Sequence, residues 1–168
     1  MSGWWKAPVQ VLAVLLVGLI AGLMLGTGIE QHSLRALSAS AWVTEHQVMD
    51  AVFRVVMKPF WNGTVLVLIV AAIVSRGNSR WLFGAAALLL IGSLIVTVRI
   101  EVPMNQAIAK WDASAPPANW AEIRERWLMF HRLRTGSGLA AFLLATIGLV
   151  QRRHLFTYPR GGSLAHSA

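Results

Sequence analysis

Four stretches of this 168-residue chain contain no charged side chain: Ala7 to Ile29, Pro59 to Ser75, Trp81 to Val98 and Thr135 to Gln151. A helix rising about 1.5 Å per residue needs roughly 17 to 25 apolar residues to cross a hydrocarbon core of about 30 Å. Each stretch approaches or meets that length, and together they leave little chain for anything but a membrane bundle. The content of 56% hydrophobic and 13% charged residues, with a mean hydropathy of +0.59, agrees. The expected fold is all-α: an integral membrane four-helix bundle, one domain over residues 1–159, with crossings at about 7–29, 55–75, 81–100 and 130–151. Residues 160–168 read as a disordered tail.

The first stretch follows Lys6 in the manner of a secretory signal, but it is much longer than an h-region of about 7 to 15 residues, so it reads as a retained helix. The absence of cysteine removes disulfides, thiolate metal sites and thiol nucleophiles together.

A net charge of +8 would suit a nucleic-acid binder, but the placement of the charges gives it another meaning. With four crossings, the termini and the 76–80 turn share one side. That side carries Lys6, Arg76, Arg80, Arg152, Arg153 and Arg160 and no acid, while Glu30, Glu45, Asp50, Glu101, Asp112, Glu122 and Glu125 all fall on the other. Short basic segments beside membrane helices stay in the cytoplasm. The expectation is a multi-pass protein of the cell membrane with both termini cytoplasmic, the lipid bilayer as its partner and no nucleic acid.

The two outer connections, about 30–58 and 99–134, hold nearly all the polar residues. Thr44 with Gln47, and Asn119 with Glu122, have capping-box spacing. After Thr44 the apolar Val48, Met49, Val52, Phe53, Val56 and Met57 recur at helical spacing, and His46, Asp50, Arg54 and Lys58 form a polar stripe at i+4 steps. This predicts an amphipathic helix feeding the second crossing, with Pro59 either kinking it or opening a new helix. The third crossing should continue towards Lys110, bent at Pro103, so three helices extend on the outer side. Gly18, Gly22 and Gly26 give small-xxx-small spacing, as do Ala141 and Ala145; the glycine face offers a surface for a homo-oligomer. The sequon Asn62-Gly-Thr64 reads as an accident at a helix entrance.

The stretch Arg126-Trp-Leu-Met-Phe-His-Arg-Leu-Arg-Thr135 carries the strongest chemical signal. Trp127, His131, Arg134 and Gly138 fall at i, i+4, i+7 and i+11 on one helix face, whereas Arg132 lies on another, at headgroup depth. An inward His131 and Arg134 need partners, because an unpaired charge in a low-dielectric site is costly. Those within reach are Arg99, Glu101 and Asn105 on the third helix, His46, Asp50 and Arg54 on the second, and Glu30 on the first. Arg134 with Glu101 or Glu30 is the leading pair. If the second crossing begins at Pro59, His46 stands about 20 Å above the membrane edge and His131 only about 6 Å. If it begins near Ala51, the two histidines come level.

Two chemistries suit these residues. His46, His131, Asp50 and Glu101 are ligand types for a non-haem metal, without any H-E-x-x-H or Glu-x-x-His pair to strengthen it. A cofactor-free general base, His131, is the simpler expectation. No nucleophile elbow and no phosphate-binding glycine loop is present, and the crossings have no mid-depth ionisable residue of the kind ion-coupled carriers use.

The size and four-crossing layout, EHQVMDAVFRVVMKPFWNG at 45–63, VPMNQAIA at 102–109 and RWLMFHRLRT at 126–135 resemble the DUF1772 family of small membrane proteins, also called anthrone oxygenase-like. The resemblance implies a four-helix membrane fold and an oxygenase-like activity. Some fungal members are associated with oxidising anthrones to anthraquinones without a familiar cofactor, while most bacterial members have no assigned activity. It marks Pro103, Asn105, Trp127, His131 and Arg134 as the positions to watch.

The leading expectation is therefore an oxidoreductase acting on an apolar aromatic or quinone-like molecule through a polar pocket at the outer rim. In it His131 abstracts a proton and Arg134 with Asn105 stabilises the oxyanion. The alternative is a membrane scaffold or lipid-binding protein whose polar groups form a structural network. A pocket lined by Trp127, His131 and Asn105 favours the first, and arginines capped by carboxylates with no void favour the second.

Overall fold

The computed structural model describes residues 4–151. Helix α1 spans Lys6–Ser33 and ends in a single 3-10 turn, Leu34–Ala36; α2 spans Ala39–Val74. Helix α3 spans Asn78–Val96, passes through a π-helical turn at Thr97–Glu101 and continues as α4, Val102–Ile108; α5 spans Trp120–Gln151. These form four rods, each long and apolar enough to cross a membrane, and no strand occurs among the described residues. The protein is an integral membrane four-helix bundle. The 160–168 tail and Arg152, Arg153 and Arg160 lie outside the described residues.

Neighbours in the bundle follow the order α1, α2, α3, α5 and back to α1, a closed ring. The start of α1, the end of α5 and the α2–α3 turn share the proximal end. There Gly77, at φ +57°, makes the left-handed step that a side chain would resist, and Gln10 Nε2 donates to Ser75 Oγ at 2.6 Å. The main core fills the ring with Val17, Ile20, Leu68, Phe83 and Leu90, together with Ala141 and Ala145, the small pair expected to pack. A smaller core of Trp42, Val43 and Ile108 caps the distal end.

Small residues set the spacing of α5 on α1. A side chain on Gly138 would sit 3.2 Å from Met24 Sδ and 3.6 Å from the Ala21 Cα, so the helices meet almost backbone to backbone. Gly138→Leu should cost about 1–3 kcal/mol through overpacking, read as a lowered thermal midpoint of the detergent-solubilised protein. The α1 glycine stripe is divided in use. Gly18 accepts the Phe142 ring of α5, where an added Cβ would come within 2.9 Å, while Gly22 and Gly26 meet nothing within 4 Å.

Two expectations about helix boundaries change. Thr44 and Gln47 do not open a helix, because α2 has already begun at Ala39, with the Ser38 hydroxyl accepting from the Ala41 N–H at 3.3 Å. Gln47 instead reaches across to the end of α4 and the turn after it, donating to the carbonyls of Ile108 (2.9 Å), which also accepts the Trp111 N–H, and of Trp111 (3.0 Å). Pro59 neither starts nor ends a helix: α2 runs through it without interruption.

Pro103 acts one turn earlier than its position suggests. A proline ring clashes with the carbonyl four residues back, here Arg99. The wide turn at Thr97–Glu101, in which the Val102 N–H reaches the Thr97 carbonyl, takes in an extra residue just ahead of the proline. Its consequence is functional, because Glu101 becomes a buried residue facing the bundle axis, at 2% exposure.

Candidate functional site

Only the first half of the polar stripe of α2 turns inwards: His46 and Asp50 are buried, while Arg54 and Lys58 are exposed. The apolar stripe is divided as well, with Val48, Val52 and Val56 exposed and Met49, Phe53 and Met57 half-buried. Buried His46 and Asp50 find polar partners that hydrocarbon cannot supply.

Asn105 is the junction. Its side-chain carbonyl accepts from Trp127 Nε1 at 2.9 Å and lies 3.3 Å from His46 Nε2, and its amide donates to Asp50 Oδ1 at 2.8 Å. Since the carbonyl can only accept, the His46 contact requires the hydrogen on Nε2. Asp50 also takes the guanidinium of Arg54, one turn along α2. Three helices are thus tied through one amide, and His46 and Trp127 are fixed in orientation.

The aromatic rings form a continuous file. Trp120 lies 5.9 Å from Trp42, Trp42 5.0 Å from His46, and His46 5.2 Å edge-on from Trp127. Trp127 then stacks on His131 at 4.9 Å with planes 9° apart, the i+4 pair of the sequence motif. The two histidines are therefore separated by one indole. His131 Nε2 lies 2.8 Å from the Met24 carbonyl, so Nε2 donates and the neutral ring keeps its lone pair on Nδ1. The neighbour of His131 is this α1 carbonyl and none of Glu101, Glu30 or Asp50.

Arg134 pairs with Glu101, with side-chain exposures of 11% and 3%, and its guanidinium also lies 5.5 Å over the Trp61 ring. Glu30 and Arg99, candidates by sequence, are both exposed and stand outside this cluster. The four proposed metal donors do not converge either: no group of three His, Asp or Glu with metal-holding geometry occurs among the described residues. Arg132 and Arg35 meet Glu125 on the distal surface at 3.9 and 2.5 Å.

These groups line a cavity of about 530 Å³. His131, Arg134, Trp127, Asn105, Glu101, Asp50 and Arg54 form its polar wall, and Met24, Met49, Phe53, Met57, Trp61 and Leu94 are among its apolar residues. Its size falls within the roughly 300–1,000 Å³ of small-molecule sites, and the mix of an apolar body with a few converging polar groups is typical of them. Side-chain atoms that are buried without a hydrogen-bond partner gather here. His131 Nδ1, Glu101 Oε1 and Arg134 Nε, on residues that line the cavity, are three of the seven such atoms among the described residues, and His46 Nδ1, behind Trp127, is a fourth. Such atoms are costly in a protein interior and concentrate where a ligand or a reaction uses them.

Sequence spacing missed four members of the site. Trp61 stands eleven residues after Asp50, three helical turns along one face, a signal that the intervening Pro59 obscured. Met24 and Thr27 belong to a charge-free stretch, and the Met24 contribution is a backbone carbonyl that no side-chain pattern reports. Lys58 was visible in the stripe of α2 but carried no partner to suggest a role.

The anthrone oxygenase family model matches residues 46–144, a span that includes α2 from His46, all of α3 and α4, and α5 as far as Leu144. Comparison with curated proteins and with solved structures finds no match. The matched span contains every polar residue of the cavity wall except Thr27, leaving to α1 that threonine and the Met24 carbonyl that holds His131. By this match over more than half its length, the chain belongs to the anthrone oxygenase family.

Proposed function

We propose that this protein is an oxygenase-like oxidoreductase that draws an apolar aromatic molecule with an acidic carbon, such as a hydroxylated anthrone, from the bilayer and oxidises it with dioxygen. The observation that carries the reading is that three residues lining the cavity, His131, Glu101 and Arg134, each carry a buried polar atom without a hydrogen-bond partner. A structural network has no use for a void of that size beside them.

In this reading His131, oriented by the Met24 carbonyl, takes a proton from the substrate CH₂ on Nδ1. The electron pair moves into the ring system and onto its oxygen, where Arg134 opposes the developing charge. The carbanion adds dioxygen, the proton returns to give a hydroperoxide, and loss of the second hydrogen with O–O cleavage yields C=O and water. CH₂ and O₂ become C=O and H₂O, so no outside reductant enters. Asn105 adds a positioning part to that of oxyanion donor. Its carbonyl is taken by His46 and Trp127 and one amide hydrogen by Asp50, so it orients these side chains and keeps its second amide hydrogen for the oxyanion. The basic proximal segments support cytoplasmic termini, with the cavity in the opposite half of the bilayer.

The scaffold reading draws on the capped arginines: Arg134 on Glu101, Arg54 on Asp50 and Arg35 on Glu125. An oxygen electrode separates the two. Purified protein in lipid discs should consume one O₂ per carbonyl formed from a hydroxyanthrone, well above the protein-free rate. A rate equal to lipid discs alone would leave only the scaffold.

A further inference from the structure

Arg54 and Lys58 lie one turn apart on α2, both exposed, on a helix whose exposed neighbours are valines facing lipid. Both line the cavity, and opposite them the exposed Val98 and Val102 of the α3–α4 rod line it too. Above this stretch Gln47 ties α2 to the carbonyls of Ile108 and Trp111; below it Trp61 Nε1 donates to the Leu90 carbonyl at 3.3 Å. Within this stretch Asn105 of α4 also holds Asp50 at 2.8 Å, so from Asp50 to Trp61 α2 runs eleven residues, about 16 Å, with the cavity behind it. The charged residues of the lining are two carboxylates, Asp50 and Glu101, against three cations, Arg54, Lys58 and Arg134. Arg54 and Arg134 each have a carboxylate, whereas Lys58 has no ion-pair partner among the described residues.

The geometry points to a lateral portal between α2 and the α3–α4 rod, with a cationic lip that selects acidic aromatic amphiphiles: the apolar body enters the cavity and an anionic group meets Lys58 and Arg54. The opening faces lipid, so the ligand arrives dissolved in the bilayer. A cation held at this depth is expensive unless it has a use, and a single positive excess is what one carboxylate or phenolate neutralises. This deepens the proposed function by naming the charge of its substrate. It rests on that reading only for the claim that the bound molecule reacts.

Two probes that share one body test it: N-phenyl-1-naphthylamine, which is neutral, and 8-anilino-1-naphthalenesulfonate, which adds a sulfonate. Binding to the full chain in phosphatidylcholine discs is read by fluorescence against empty discs. The protein should bind the sulfonate the more tightly, and Lys58→Gln should weaken it by about fivefold while leaving the neutral probe unchanged. Val98→Trp on the lip should slow association of both probes, whereas Leu139→Trp, on the lipid-facing side of α5, should not. The variants' helicity and elution profiles establish that they fold. Equal affinity of the two probes, or no effect of Lys58→Gln, overturns the charge selection; an unchanged rate in Val98→Trp overturns the portal. If adding phosphatidylglycerol to the discs displaces the sulfonate stoichiometrically, the occupant is a lipid headgroup and the assignment to an aromatic amphiphile fails. Because no turnover is measured, these outcomes stand apart from success or failure of the oxygen-electrode assay.

Discussion

Glu101→Ala should destabilise the bundle by about 3–5 kcal/mol, the largest loss expected of any single substitution at the site. The carboxylate is 3% exposed and its partner Arg134 is 11% exposed, so removing Glu101 leaves a guanidinium enclosed with only the Trp61 face for compensation. The cost comes from the charge left behind rather than from the worth of the pair. The double variant Glu101→Leu with Arg134→Met removes both charges and should recover most of the stability, because apolar groups of similar volume replace a buried ion pair at little or no loss. Thermal unfolding of the two variants in the same lipid checks this. A single variant as stable as the parent would mean that Arg134 finds another anion or water, and that the ion pair does not hold the cavity wall.

His131→Gln should reduce turnover of a hydroxyanthrone by about 10²–10⁴-fold, the usual contribution of a positioned general base. Glutamine keeps an N–H able to reach the Met24 carbonyl, so the α1–α5 tie survives, but it has no basic nitrogen to replace Nδ1. The loss should fall on kcat with little change in KM, since the proton transfer is made only in the transition state. Thermal unfolding beside the kinetics separates a catalytic loss from a structural one. Loss of activity only in proportion to loss of folded protein would assign His131 to packing.

The fold was legible because length and charge act along the chain. Four uncharged stretches define four rods, and the inverse distribution of acids and bases supplied an expectation for the termini. The alternation of side chains on α5 was equally readable: Trp127, His131, Arg134 and Gly138 do share the inward face, and Trp127, His131 and Gly138 are buried there. Arg134 with Glu101, one of two pairs named from sequence, is the pair that forms; Glu30 remains outside. Two features were out of reach. Nothing at Pro103 announces that its strain is relieved by a wide turn five residues long that turns Glu101 inward. And the partner of His131 is a main-chain carbonyl on α1, which residue types cannot predict.

The central claim is that dioxygen chemistry takes place in the distal cavity through His131. Isotope labelling tests it most directly: the purified protein in lipid discs, a hydroxyanthrone and ¹⁸O₂, with the product analysed by mass spectrometry. One ¹⁸O atom in the new carbonyl, formed at the wild-type rate and lost with His131→Gln in a variant that still folds, is the expected result. A carbonyl without the label, or equal labelling at an equal rate in the His131→Gln protein, would contradict the account.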